Sequence, residues 1–155
     1  MKEIVGDIWD YHKQGFWIVI TTNGVVKPNG AAVMGAGIAW QAAQRFPRLQ
    51  RGLGHHIILM GNNVHCFRRW RLVTFPTKHD WRNDSDMPLI ERSLSQLVSL
   101  ADVGRLEYYS REFAADLGSP IYLVRPGCKN GGLDWKDVKP LLERYLNDRF
   151  VVVER

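Results

Sequence analysis

The chain contains 155 residues, 45% of them hydrophobic and 24% charged, with a formal net charge of +5 and a pI near 9.4. This size and composition are typical of one folded domain and exclude a disordered chain. We expect no membrane partner, because no apolar run approaches the roughly 18 residues that a membrane helix needs. The length predicts a single domain over residues 1–155. The N-terminus lacks a signal-peptide core, so we expect the protein in the cytoplasm.

The cysteines and histidines follow no pattern typical of a metal site. Cys66 and Cys128 are far apart and outside any CxxC pairing, so neither a structural disulfide nor a zinc site is expected. The five histidines include no HExxH motif and no other ligand spacing. We therefore predict no metal and no cofactor. The basic charge suggests a polyanionic partner, although many basic proteins bind none.

In chain order, apolar periodicity and breaks at glycine or proline predict strands and helices that alternate. The predicted strands are residues 4–5, 16–22, 56–60, 64–67, 72–75, 121–124 and 150–153. The predicted helices are residues 38–46, 87–103, 106–117 and 136–146. Interspersed strands and helices favour an α/β fold, a three-layer α/β/α sandwich with a mixed central sheet.

Turn residues set the boundaries in the middle of the chain. Gly61-Asn62-Asn63 is a strong hairpin signal between residues 56–60 and residues 64–67. Pro76 follows the strand of residues 72–75 and is predicted to stop it, because proline cannot donate to a sheet ladder.

Capping residues set the boundaries of the later helices. Apolar residues recur at helical spacing between Met87 and Val103, with Asp86 as a plausible N-cap. Pro88 is tolerated there because it falls in the first turn. Gly118 is predicted to end the helix of residues 106–117.

Two glycine-bearing loops follow predicted strands and precede predicted helices, at residues 24–37 and 127–135. Glycine lets the backbone approach a ligand closely, and the amides at a helix N-terminus attract phosphate. In open α/β sheets, ligands bind outside the carboxyl ends of the strands, where both loops begin. Lys78 follows another strand at the same rim. The pattern predicts a cleft that holds a phosphate-rich ligand.

A basic segment with indoles occupies the middle of the chain. Its members are Arg68, Arg69, Trp70, Arg71, Lys78, His79, Trp81 and Arg82. Basic residues interleaved with indoles suit phosphates and unstacked bases, which favours contact with nucleic acid. The alternative is a solvated strand edge, where lysine and arginine discourage aggregation.

Four segments together resemble a macrodomain, the ADP-ribose-binding family. They are Gly6-Asp7-Ile8, Thr22-Asn23-Gly24, residues 32–39 and the loop of residues 127–135. The similarity covers nearly the whole chain in the expected order, and the four segments together are far more specific than the glycine loops alone.

Two further segments resemble particular macrodomain branches. Pro76-Thr77-Lys78-His79-Asp80-Trp81 is similar to the Pro-Thr-Lys-x-x-Trp segment of the branch that includes the DNA-directed ADP-ribosyl-hydrolase antitoxins. The longer first loop, residues 25–30, is similar to that of stand-alone phage and bacterial members.

The resemblance implies an ADP-ribose site. Asp7 and Ile8 would hold the adenine, and Asn23 would reach the distal ribose. The diphosphate would meet backbone amides of Gly35, Ala36, Gly37 and Ile38. The second loop would wrap the distal ribose and phosphate with Gly127, Cys128, Lys129, Asn130, Gly131, Gly132 and Leu133. From the residues alone, a turn is the more common role for Gly6-Asp7, and a small packing residue is the more common role for Cys128. Residues 35–37 could equally be a close helix contact.

The resemblance also implies that Lys78 takes part in releasing ADP-ribose from its linkage, so Lys78 and Asn23 are the predicted catalytic residues. An amine is a useful nucleophile at an anomeric carbon when burial or a neighbouring cation favours its neutral form. The alternative for Lys78 is a solvated lysine that follows a strand. The match at Thr77 and Trp81 favours the functional interpretation.

Two positions depart from the family pattern. Related hydrolases of glutamate-linked ADP-ribose place an aspartate in the second loop where this chain has Gly131. That difference argues against protein-glutamate deribosylation by a lysine and aspartate pair. Lys129 stands where similar members tend to have glycine, and it would either add charge towards a phosphate or obstruct the distal ribose. Asp134 is expected to cap the next helix, with Trp135 anchoring it.

The sequence therefore favours an ADP-ribose-binding macrodomain that hydrolyses ADP-ribosyl linkages, with ADP-ribosylated DNA as the favoured substrate. The resemblance adds a cognate ADP-ribosyltransferase toxin as a partner. Three alternatives stay open: a phosphatase of ADP-ribose 1″-phosphate, a non-catalytic reader of ADP-ribose, and a basic nucleic-acid-binding module. Lys78 distinguishes the ADP-ribosyl hydrolase from the phosphatase, because only the hydrolase should need this lysine.

Overall fold

A mixed six-stranded sheet organises the molecule. The computed structural model describes residues 1–106 and 115–155. Its strands are β1 (Lys2–Val5), β2 (Ile18–Asn23), β3 (His65–Phe67), β4 (Leu72–Lys78), β5 (Ile121–Val124) and β6 (Phe150–Glu154). The spatial order is β1-β6-β5-β2-β4-β3, with β3 antiparallel to β4 and the other neighbours parallel.

Helices cover both faces of the sheet. They are α1 (Ile8–Lys13), α2 (Gly37–Arg45), α3 (Leu49–Met60), α4 (Met87–Val103) and α5 (Trp135–Tyr145). One core cluster joins α4 and α5 to the sheet, and the other joins α1, α2 and α3 to it. Strand β2 contributes to both, because Val19 faces the first cluster while Ile18 and Ile20 face the second. The predicted three-layer α/β/α sandwich with a mixed sheet is confirmed.

The caps predicted for the later helices are present. Asp86 accepts a hydrogen bond from the Leu89 N–H at the start of α4, and Pro88 lies in its first turn. Asp134 accepts from the Lys136 N–H at the start of α5. The helix α1 at Ile8–Lys13 was not predicted.

The predicted hairpin of residues 56–60 and 64–67 is wrong. Residues 56–60 are the last turns of α3, and β3 instead forms a hairpin with β4. Leu49, Leu53 and Ile57 recur at helical spacing and pack into one core cluster, while Ile58 and Leu59 point outwards. The apolar run is therefore the end of an amphipathic helix, which Gly61 ends with φ 85°.

The prediction that Pro76 stops its strand is also wrong, because β4 continues through Pro76 to Lys78. Strand β3 pairs only with Leu72–Thr74. Pro76 lies beyond that pairing, so its missing N–H does not interrupt the ladder with β3. The extra length carries Lys78 to the carboxyl edge of the sheet.

The predicted helix of residues 106–117 lies mostly outside the described residues, since 107–114 are not among them; residues 115–117 form no regular element. Within residues 1–106 and 115–155, no helix has the length and apolarity needed to cross a membrane.

Candidate functional site

A cavity of about 620 Å³ opens at the carboxyl ends of β2, β4 and β5. Its volume is within the range of roughly 300–1,000 Å³ that is usual for ligand pockets. The predicted site residues on its wall are Asp7, Ile8, Asn23, Gly35, Ala36, Gly37, Ile38, Lys78, Gly127, Cys128, Lys129, Asn130 and Gly131. Gly132 and Leu133 are not on the wall. The structure thus brings together residues that are more than 100 positions apart in the chain.

The two glycine loops meet across this cavity. Gly37 opens α2 with φ 57°, and a Cβ added there would lie 3.3 Å from Asn130 Nδ2 in the second loop. Ala36, the N-cap of α2, makes no side-chain capping bond. The first amides of α2 therefore face the cavity without a capping side chain, which favours an anionic ligand.

Asp7 is the N-cap of α1 and also lines the cavity. Its Oδ1 accepts a hydrogen bond from the Trp9 N–H at 3.0 Å. The role that the resemblance implies for this carboxylate towards adenine would therefore fall to Oδ2. The capping bond holds the side chain in place at the adenine end of the predicted site.

Asn23 ties the first loop together. Its Nδ2 donates to the Val33 carbonyl at 3.0 Å, and its Oδ1 accepts from the Val25 N–H at 2.9 Å. It stands where the register between β2 and β4 shifts. Its visible role is to shape the loop, and the catalytic role implied by the resemblance stays a prediction.

Lys78 reaches from the end of β4 to the second loop. Its Nζ donates a hydrogen bond to the Asn130 carbonyl oxygen at 3.0 Å, and its side chain is half-buried. The Lys78 carbonyl in turn accepts from Asn62 Nδ2 at 3.1 Å. The amine is therefore held on the cavity wall, next to both loops.

Packing explains why glycines recur in the second loop. Gly127 has φ 78°, and a Cβ there would lie 2.8 Å from Ile90 Cδ1 and 2.9 Å from Leu133 Cδ1. The Leu133 side chain packs against the core, and its N–H donates to the Gly127 carbonyl. Leu133 thus closes the loop from below, which explains its absence from the cavity wall.

Ser85 is a wall residue that the sequence did not reveal. Its N–H donates to the Gly131 carbonyl at 2.8 Å, and a Cβ added to Gly131 would overlap Ser85 Oγ. A side chain at position 131 would therefore displace the Ser85 hydroxyl. An aspartate there, as in hydrolases of glutamate-linked ADP-ribose, would require the Ser85 side chain to turn away.

Cys128 and Lys129 differ in their surroundings. Burial raises the pKa of the Cys128 thiol, which disfavours the thiolate that a nucleophile would need. Lys129 is exposed on the wall and has φ 57°, a conformation that favours glycine. These observations support the small packing role for Cys128.

The structure divides the basic and aromatic segment into two groups at opposite ends of β4. Trp70 packs between Phe46 and Phe67, with ring centroids 5.8 Å from each. Trp81 lies on the cavity rim with 48% of its surface exposed, and the Arg82 guanidinium lies 4.7 Å from its ring centroid. Only the second group is placed to meet a ligand in the cavity.

Solved structures of high similarity are macrodomains. The macrodomain of Thermus aquaticus DarG superposes with a TM-score of 0.73 at 24% identity, covering 99% of this chain and 97% of that one. Thermosipho africanus DarTG in complex with ADP-ribose gives a TM-score of 0.70 at 23% identity, covering 97% of this chain and 40% of that one. The chain therefore has the macrodomain fold, as predicted.

Sequence relatives agree with the fold. A DNA ADP-ribosyl glycohydrolase of Thermus aquaticus is 30% identical over 129 residues, 76% of this chain and 32% of the relative. A DNA ADP-ribosyl transferase-DNA ADP-ribosyl glycohydrolase fusion protein of Thermosipho africanus is 36% identical over 85 residues, 55% of this chain and 19% of the relative. The chain thus spans a third or less of these curated relatives. No family model matches it.

Proposed function

We propose that this macrodomain, similar to DarG macrodomains and to DNA ADP-ribosyl glycohydrolases, binds ADP-ribose between its two glycine loops and hydrolyses ADP-ribosyl linkages on DNA. The observation that carries the proposal is the Lys78 amine, which lies on the wall of a nucleotide-sized cavity and bonds to the second loop. The names of the relatives supply the substrate class, and the fold supplies the site.

In this proposal, ADP-ribose lies along the cavity with its adenine near Asp7. The diphosphate meets the amides of Gly35 and Ala36 and the uncapped N-terminal amides of α2 at Gly37 and Ile38, where fixed N–H groups and the helix dipole favour negative charge. The distal ribose then falls between Asn130 and Lys78. This order places the scissile linkage beside the only lysine amine that β4 contributes to the wall.

The proposed chemistry uses Lys78 as a nucleophile. Its neutral amine forms a bond to C1″ of the distal ribose while the bond from C1″ to the DNA breaks, and the leaving group takes up a proton. Water then cleaves the C–N bond, which releases ADP-ribose and regenerates the amine. To react, the amine must release the hydrogen bond that it donates to the Asn130 carbonyl.

Two observations favour DNA over glutamate-modified protein as the substrate. Position 131 is a glycine against the Ser85 hydroxyl, so the second loop supplies no aspartate there to assist the lysine. Trp81 offers an exposed indole at the rim, where an unpaired base beside the linkage could stack. The cytoplasmic location and the toxin partner expected from the sequence stay predictions.

Binding can be tested apart from chemistry. Calorimetry with ADP-ribose and with AMP should show one-to-one binding of ADP-ribose that is much tighter than that of AMP. Comparable affinity for the two ligands would refute the two-loop site. Tight ADP-ribose binding without any turnover would instead favour the non-catalytic reader, and turnover of ADP-ribose 1″-phosphate alone would favour the phosphatase.

A further inference from the structure

Ser85 lies in the wall of the cavity with its hydroxyl unused. The residue is 8% exposed, and its Oγ is buried without a hydrogen-bond partner among the described residues. Its backbone is firmly placed, because its N–H donates to the Gly131 carbonyl and the next N–H, that of Asp86, donates to the Thr77 carbonyl. A buried hydroxyl without a partner destabilises a protein, and a ligand that bonded to this Oγ, once the side chain turned from Gly131 towards the cavity, would remove that cost.

The position of Ser85 indicates which part of a ligand it would meet. Oγ lies against Gly131, the residue after Asn130, whose carbonyl accepts from the Lys78 amine. Ser85 is therefore on the Lys78 side of the cavity, whereas the amides that suit a diphosphate are at the start of α2. A serine hydroxyl both donates and accepts, which matches a sugar hydroxyl, itself a donor and an acceptor.

We propose that Ser85 positions the distal ribose by a hydrogen bond between its Oγ and a ribose hydroxyl. This inference rests on the proposed function and adds a residue that selects for the second sugar of ADP-ribose. Gly131 contributes to the same subsite, since any side chain there would displace the serine hydroxyl. Ser85 acts on position and specificity and takes no covalent part in the reaction.

Ser93 provides a matched control. It is fully buried, and its Oγ donates to the Pro76 carbonyl at 2.8 Å. Removing its hydroxyl leaves a buried carbonyl without that donor, whereas removing the Ser85 hydroxyl deletes a group that has no partner among residues 1–106 and 115–155. The change at Ser93 should therefore lower stability without weakening ligand binding, and the change at Ser85 should weaken ligand binding without lowering stability.

The test measures thermal unfolding and the Kd values for ADP-ribose and for ADP, which lacks the distal ribose. Ser85→Ala should leave Tm unchanged or raise it, weaken ADP-ribose binding about five- to tenfold, and leave ADP binding unchanged. Ser93→Ala should lower Tm while the folded protein keeps both Kd values.

Each other outcome has a distinct meaning. Unchanged ADP-ribose affinity in Ser85→Ala would overturn the proposal, and so would an equal loss for ADP, because the hydroxyl would then meet the diphosphate. A fall in Tm equal to that of Ser93→Ala would show a structural role. If the unsubstituted protein binds ADP-ribose no better than ADP, the proposed function itself is wrong. This measurement needs no variant, so it is distinct from a failure of the Ser85 proposal.

Discussion

The two ends of β4 carry an indole beside basic residues, yet their environments differ. At the start of the strand, Trp70 is packed among aromatic rings and its carbonyl accepts a hydrogen bond from the His12 ring at 2.7 Å. Beyond the other end, Trp81 is 48% exposed at the rim of the cavity. The same residue types thus stabilise the fold at one end and are available to a ligand at the other.

The cations show the same contrast. Arg71 donates to the His12 carbonyl at 3.1 Å, within the packed end, and Lys78 donates to the Asn130 carbonyl at 3.0 Å, across the cavity. Equivalent hydrogen bonds therefore connect a strand to a helix in one case and to a ligand-binding loop in the other. Local sequence pattern does not separate the two; the position along the strand does, because ligands bind at the carboxyl edge of the sheet.

The largest effect should come from Lys78. Lys78→Ala should reduce hydrolysis of ADP-ribosylated DNA about 10²- to 10⁴-fold or further while the Kd for ADP-ribose stays within a few-fold, because a nucleophile contributes mainly in the transition state. Lys78→Arg should be nearly as inactive, since guanidinium stays protonated. Single-turnover rates and calorimetry measure both quantities.

The matched variant at the packed end is Arg71→Ala. It should lower stability, and the folded fraction should hydrolyse the substrate at the original rate. Undiminished hydrolysis by Lys78→Ala would remove the lysine mechanism. It would leave water activation or phosphatase chemistry as the better account.

A block in the first loop should have the next largest effect. Gly35→Leu should weaken ADP-ribose binding about 100-fold or abolish it, because the side chain would occupy the path of the diphosphate. The fold should tolerate the change, since no described heavy atom beyond its chain neighbours lies within 4 Å of a Cβ at this position. Calorimetry should therefore show the loss of ADP-ribose affinity while Tm stays unchanged. Gly54→Ala is the contrast: its Cβ would overlap the Gly30 carbonyl oxygen, so Tm should fall.

The paired indoles provide the direct contrast between the two ends. Trp70→Ala should lower the free energy of unfolding by about 2–4 kcal/mol, as expected for an aromatic removed from a packed cluster. Trp81→Ala should leave stability nearly unchanged and reduce kcat/KM for the DNA substrate about tenfold, by the loss of base stacking. Free ADP-ribose should bind Trp81→Ala normally. An equal loss of stability in both variants would contradict the assignment of Trp70 to the fold and Trp81 to the ligand.

The smallest effect concerns pH and belongs to the packed end. Burial lowers the pKa of His12, so the folded protein resists its protonation. The unfolded chain takes up that proton below about pH 6.5, so stability should fall as the pH decreases through that value towards the lower pKa of the folded state. Denaturant unfolding at several pH values measures the slope. His12→Gln should reduce it, and an unchanged slope would assign the acid sensitivity to other groups.

The sequence predicted those parts of the fold that local chemistry decides. The helix Met87–Val103 was predicted with its true bounds, because Asp86, Pro88 and an apolar periodicity all indicate the same element. Residues 56–60 were assigned to the wrong element, because a short apolar run fits a buried strand as well as the end of a helix. The decisive information was the spacing of Leu53 and Leu49, one and two turns before Ile57.

The candidate site divides in the same way. Both glycine loops and Lys78 were expected at one rim, because they follow parallel strands and carboxyl ends share an edge. Ser85 could not be found from the sequence, since its meaning depends on contact with Gly131, 46 positions away. The packing of Trp70 was equally hidden, because its partners Phe46 and Phe67 come from other elements.

The most direct test of the central claim offers the unsubstituted protein three substrates in parallel: ADP-ribosylated DNA, glutamate-modified protein and ADP-ribose 1″-phosphate. Release of free ADP-ribose, followed chromatographically, should be fast from the DNA and slow or absent from the protein, and the phosphate monoester should persist. Faster turnover of the phosphate monoester, or of the glutamate-linked protein, would contradict the account, because neither the position of Lys78 nor the glycine at position 131 would then explain the activity.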